Sequence, residues 1–226
     1  MIALVDLGLG NLRSVEKALA VAADRAGVEH PTLTHDPDRI ARADRIVVPG
    51  QGAFRDGAAA LARNGGALRD AIRQAIVARV PYLGICLGLQ LLFSESEEAE
   101  GARGLDVFSG RVVRIPGGLQ DDDGRRLKVP HMGWNQPQVL DTEAGRAARS
   151  VLEPQPSQPK AEAPWFYFVH SYHALPDDPA LVAATASYGC LEITAAVARG
   201  TLLATQFHPE KSQRAGLALL TCFLSR

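Results

Sequence analysis

Cysteine is scarce in this chain: there are three, Cys86, Cys190 and Cys222, with no Cys-x-x-Cys spacing. An odd, unpatterned set excludes a disulfide framework or a thiolate zinc site as the organising feature, and it fits a reducing cytoplasm. Excess charge of either sign is missing too, since the formal net charge is −1 over 226 residues. The only basic cluster, Arg125-Arg126-Leu127-Lys128, is short and adjoins Asp121-Asp122-Asp123, so no electrostatic footprint for nucleic acid remains. No apolar run is long enough to span a bilayer, and no basic leader precedes the first strand-like segment. Neither membrane insertion nor export is expected. What remains is small-molecule chemistry on a chain whose length suits one α/β domain covering residues 1–226.

The stretch that organises the rest is Tyr82-Leu83-Gly84-Ile85-Cys86-Leu87-Gly88-Leu89-Gln90. It reads as strand, sharp turn and amphipathic helix, a nucleophile elbow with sulfur in place of a hydroxyl. Glycines stand two residues either side of Cys86 because bulkier side chains would collide in so tight a turn. The elbow is expected to project Cys86 into solvent at a helix N-terminus, where free backbone N–H groups and the helix dipole favour the reactive thiolate. A free cysteine is more often a small buried residue. A second motif shifts the balance. Thr205-Gln206-Phe207-His208-Pro209-Glu210 ends an apolar strand in a histidine and a glutamate two residues apart. In extended chain these share a face, so Glu210 can orient the imidazole of His208 while its other nitrogen meets a thiol.

Cys86, His208 and Glu210 with these local motifs resemble the triad of the class I glutamine amidotransferases, and the resemblance covers nearly the whole chain. Within that class, Asp6-Leu7-Gly8-Leu9-Gly10-Asn11-Leu12 and Val129-Pro130-His131-Met132-Gly133-Trp134-Asn135 are similar to motifs of the glutaminase subunits of imidazole glycerol phosphate synthases. The resemblance implies glutamine as substrate and ammonia as cargo for a (β/α)8-barrel cyclase subunit in a heterodimer. It implies no metal or organic cofactor. It also places Gln90 and Glu98 at positions that hold glutamine, the Glu98 carboxylate being a natural partner for its α-ammonium group, and gives the backbone of His170, Ser171 and Tyr172 to the α-carboxylate. Asn11, His131, Met132 and Trp134 would face the partner. Rival readings are another amidotransferase, a stand-alone cysteine hydrolase, or an inactive interaction subunit on the same fold.

The remaining segments supply the scaffold. Ile2-Ala3-Leu4-Val5 and Arg45-Ile46-Val47-Val48-Pro49 read as strands buried on both faces. The first runs into Gly8-Leu9-Gly10 and a helix with Leu12, Val15, Leu19 and Ala22 on one face, ending at Gly27. A dinucleotide site is rejected there, because Arg13 stands where the third glycine is required. The second runs into Gly50-Gln51-Gly52, whose backbone is expected to complete an oxyanion hole with Leu87 N–H. Family members often carry valine where this chain has Gln51. Helices are expected over 54–63 and 67–79, β-ribbons between 106 and 135, a surface turn at 121–124, and an exposed proline-rich loop from Glu153 to Lys160. His170 and His173 lack carboxylate or cysteine companions at metal-ligand spacing. Strands over 181–186 and 193–198 and a C-terminal helix through Leu217, Leu220 and Leu224 complete an α/β fold: a mostly parallel central sheet flanked by helices, with an antiparallel ribbon region.

Overall fold

The computed structural model describes residues 1–153 and 163–226, so most of the proline-rich loop expected at 153–160 lies outside the described residues. In chain order the elements are β1 (Ile2–Val5), α1 (Leu12–Ala26), β2 (Thr32–Thr34), α2 (Pro37–Ala41), β3 (Arg45–Gly50), α3 (Phe54–Val77), β4 (Tyr82–Cys86), α4 (Leu87–Gln90), β5 (Phe93–Ser96) and β6 (Phe108–Arg114). They continue with β7 (His131–Asn135), β8 (Gln138–Val139), α5 (Glu143–Leu152), β9 (Phe166–His170), β10 (Tyr172–Pro176), β11 (Val182–Tyr188), β12 (Leu191–Arg199), β13 (Leu202–Thr205) and α6 (Gln213–Ser225).

Alternation along the apolar strands builds a core on each face of the main sheet. Ala3, Val5, Ile46 and Val48 pack on one side with α2 and α3, while Ile2, Leu4 and Val47 pack on the other with α1, α5 and α6. The sheet order is β2-β1-β3-β4-β13-β12-β11-β8. Pairing is parallel from β2 across to β13 and antiparallel from β13 to β8. The expected ribbon region is more divided than its sequence suggests. β6 lies between β5, parallel to it, and β10, antiparallel, whereas β7 pairs with β9.

Two local expectations hold in detail and one does not. α1 ends at Gly27 in the left-handed region (φ 67°), and α3 breaks at Arg63–Gly66, where Asn64, Gly65 and Gly66 all have positive φ. By contrast, α4 is a single turn with every residue buried rather than an amphipathic helix. The chain leaves it at once for β5, so the acidic residues Glu95, Glu97 and Glu98 stand on β5 and the turn after it.

Candidate active site

Parallel pairing carries three strand ends to one edge of the sheet. Gly50 of β3 lies beside Cys86 of β4, and Thr205 of β13 lies beside Ile85, so the residues after 50, 86 and 205 converge. Cys86 itself adopts φ 53° and ψ −100°, a conformation costly for a residue with a Cβ and held by the packing around it. That packing demands glycine on both sides. A Cβ at Gly88 would stand 1.8 Å from the Val48 carbonyl oxygen, and one at Gly84 would stand 2.6 Å from the Gly88 oxygen. Tyr82 Oη donates to that same Gly88 oxygen at 2.9 Å and ties the turn back to its strand.

The sulfur is less exposed than the elbow suggests: Cys86 retains 7% of its accessible surface. Residues from the neighbouring strand end cover it. His208 Nδ1 donates to Glu210 Oε1 at 2.8 Å, with both side chains buried. The pair meets on a short 3₁₀ turn, Pro209–Lys211, and not along an extended chain as its spacing suggested. His208 Nε2 makes no hydrogen bond of its own. Burial pushes this imidazole down, but the charge and hydrogen-bonding capacity of Cys86, followed by those of Glu210, outweigh it and raise the pKa from 6.5 to about 10. Leu87, the first residue of α4, offers a backbone N–H that no earlier turn can satisfy.

Gln206 is the residue that sequence reasoning passed over. It is fully buried, its Nε2 donates to Cys86 Sγ at 3.4 Å, and its Oε1 accepts from Gln90 Nε2 at 3.2 Å. Gln90 Nε2 also donates to the Tyr172 carbonyl at 3.0 Å. The available signal was an amide at the buried end of an apolar strand, two residues before His208, where burial requires partners.

Other expected residues fall around this centre with some changes of role. Gln51 Nε2 donates to Glu210 Oε1 at 3.3 Å, so its side chain reaches the His208–Glu210 pair while its backbone stands at the loop. Gly10 packs on that loop so closely that a Cβ there would be 2.9 Å from Gln51 N. Asn11 is exposed and caps α1 through Ser14 N–H, and it shares a small cavity with Gln51, His208 and Glu210. Glu98 Oε2 accepts from Phe54 N–H at 2.7 Å, placing it where α3 leaves the Gly50–Gly52 loop. His170 is buried; Ser171 and Tyr172 are half-buried beside Gln90. Met132 and Trp134 point outward at 61% and 43% exposure, but His131, one residue earlier on the strand, points inward and is buried. Among the described residues, no group of His, Cys, Asp or Glu is arranged to hold a metal ion, and no helix is long and apolar enough to cross a membrane.

The sequence model of class-I glutamine amidotransferases matches residues 4–224. The chain belongs to this family. It is 50% identical over 228 residues to the imidazole glycerol phosphate synthase subunit HisH of Methylococcus capsulatus, covering 99% of this chain and 95% of that one. The subunit HisH of Syntrophotalea carbinolica is 47% identical over 223 residues, covering 99% and 98%. Among solved structures, PurLQS from Thermotoga maritima superimposes with a TM-score of 0.66 at 19% identity, covering 99% of this chain and 96% of that chain, a likeness of fold.

Proposed function

We propose that this chain, acting as one domain over residues 1–226, hydrolyses the side-chain amide of glutamine to glutamate and ammonia. The ammonia passes to a (β/α)8-barrel cyclase subunit that completes imidazole glycerol phosphate synthesis in the histidine pathway of the cytoplasm. The observation that carries this reading is the placement of His208 between Glu210 and the sulfur of a strained Cys86.

The Cys86 sulfur attacks the amide carbon, and Leu87 N–H with the Gly50-Gln51-Gly52 backbone meets the developing oxyanion. With its raised pKa, His208 holds a proton at neutral pH. It gives that proton to the departing nitrogen as the C–N bond breaks, which leaves ammonia and a γ-glutamyl thioester on Cys86. Acylation removes the negative charge from sulfur, and with it the leading influence that raised the imidazole. Burial remains, so His208 is now readier to act as a base. It takes a proton from water as the water oxygen attacks the thioester, the C–S bond breaks, and glutamate leaves. Gln90, Glu98 and the His170-Ser171-Tyr172 backbone bind the rest of glutamine. Asn11, Met132 and Trp134 offer the partner-facing surface; His131 supports it from beneath.

The direct test is Cys86→Ala in the complex with a cyclase subunit. Glutamine-dependent synthesis disappears while synthesis from added ammonium salt persists, because only the nitrogen source is lost. Loss of both in a folded complex overturns the assignment.

A further inference from the structure

A line of hydrogen bonds runs from the inward face of β7 to the nucleophile, and elementary donor and acceptor rules settle its direction. The Tyr172 carbonyl can only accept, so His170 Nδ1, 2.8 Å away, carries a proton. In neutral His170 the other nitrogen, Nε2, is then an acceptor, and His131 Nδ1 at 3.1 Å must be its donor. His131 Nε2 is left to accept, and Asn135 Nδ2 faces it at 3.5 Å. The Asn135 amide cannot be turned round, because Nδ2 also donates to the Ser187 carbonyl at 2.9 Å and Oδ1 accepts from Gln136 N–H at 2.8 Å. The same logic continues on the far side. Gln90 Nε2 donates to the Tyr172 carbonyl, so the Gln206 atom facing Gln90 is the oxygen and the Gln206 NH₂ group faces Cys86 Sγ.

We propose that Asn135, His131 and His170 are positioning residues for the nucleophile: their one-way line of hydrogen bonds fixes the Tyr172 carbonyl, which orients Gln90 and thereby turns the Gln206 amide to donate to the Cys86 sulfur. The proposal rests on the glutaminase reading for its catalytic meaning. Its physical basis lies in how little freedom the groups have. His131 is stacked on Phe168, with ring centroids 4.9 Å apart, and packs against Tyr188 at 4.2 Å, so its ring plane is set. Burial holds the His131 and His170 pKa values down, at about 4 and about 3, and both rings stay neutral in the working range. A donor on sulfur favours the thiolate over the thiol, since the charged acceptor gains more from it.

The test follows the rate at which iodoacetamide alkylates Cys86 in the purified full-length chain, read from the mass of the Cys86 peptide so that Cys190 and Cys222 do not contribute. On the acid limb of its pH profile, where the thiolate fraction limits the rate, Gln206→Leu slows this reaction about 10- to 100-fold, the size expected for a hydrogen bond to a charged acceptor. His131→Phe keeps the stacked ring, removes both nitrogens and slows it in the same direction. His131→Asn, which can place an N–H where Nδ1–H stood, recovers most of the rate. In a Gln206→Leu background His131→Phe adds nothing, because effects that pass through one group are not additive. A wild-type rate in His131→Phe, an Asn variant as slow as Phe, or simple additivity overturns the proposal. Should His131→Phe lose cooperative melting, the half-buried Asn135 supplies the second test. Asn135→Ala removes the donor that holds His131 Nε2 as the acceptor and slows alkylation in the same direction; a wild-type rate counts against the relay. Alkylation needs no glutamine turnover. Relay behaviour in a chain that never releases glutamate with a cyclase subunit would refute the glutaminase reading and leave the relay standing.

Discussion

Gln51 Nε2 lies 3.3 Å from Glu210 Oε1, the same oxygen that accepts from His208 Nδ1 at 2.8 Å. The loop beside Cys86 is therefore tied by a side chain to the carboxylate proposed as the third member of a triad. Gln51→Val removes a neutral donor from a carboxylate that keeps its histidine, so glutamine turnover in the complex falls by no more than about tenfold. Gln51→Glu sets a second carboxylate against the buried Glu210 and is far more damaging. Steady-state glutamate release ranks the two. A valine variant worse than the glutamate variant contradicts this account of the contact.

In the proposed mechanism Glu210 orients the imidazole and His208 moves the proton, so their variants are expected to separate. His208→Ala loses general acid–base catalysis, worth roughly 10² to 10⁴ in rate. Glu210→Gln keeps an acceptor oxygen near Nδ1 and retains more activity than His208→Ala. Wild-type turnover in both variants removes them from the mechanism.

The proposed function predicts that the isolated chain turns over glutamine poorly and that the complex with a liganded cyclase subunit turns it over fast. Gly50 and Gly52 flank the Gln51 peptide, and Gly52 has φ 145°, which few other residues tolerate, so a rotation of this peptide has only the Gln51 side-chain contact with Glu210 and the packing of Gly10 to overcome. Turning one oxyanion donor away costs about 10² to 10³ in turnover, enough for an off-state that avoids wasted ammonia. A partner seated on Asn11, Met132 and Trp134 needs only a few kcal/mol of preference for the rotated loop, ordinary for coupled sites. Glutamate release is compared for the chain alone, the complex, and the complex with cyclase ligand. Equal rates refute gating.

Acid destabilises the fold through His131 and His170. Their folded pKa values, about 4 and about 3, lie below the ordinary 6.5 because of burial, with the neighbouring His131 adding to the effect on His170. Below pH 6.5 the unfolded chain takes up protons that these folded residues refuse, so their stabilising contribution is complete above that pH and shrinks as pH falls toward 3. His208 has the opposite sign: its contribution is complete below 6.5 and is lost as pH rises toward 10. Melting temperature from pH 7 to 4 therefore falls more steeply in wild type than in His131→Phe. An equal slope shows that His131 does not titrate as assigned.

Much of this arrangement is local, and local features were legible in the chain. The glycines around Cys86 answer to a turn in which a Cβ would strike backbone, and the αL residue Gly27 and the break at Asn64-Gly65-Gly66 likewise follow from neighbours in sequence. Apolar runs such as Ile2–Val5 announced strands covered on both faces because nothing polar interrupts them. Other features depend on residues brought together from far apart. The amide that donates to the Cys86 sulfur comes from Gln206, 120 residues away, and the contact of Gln51 with Glu210 spans 159. His131 turned inward while Met132 and Trp134 stayed out because pairing with β9 set the face of the strand, and strand pairing is chosen by the whole sheet. Residue types and spacing therefore determined the elbow by sterics within a few residues and marked Cys86 and His208 as candidates for nucleophile and base. The direction of the hydrogen bonds that meet at the sulfur was decided only when tertiary packing brought Gln206, Gln90 and the Tyr172 carbonyl together and closed water out.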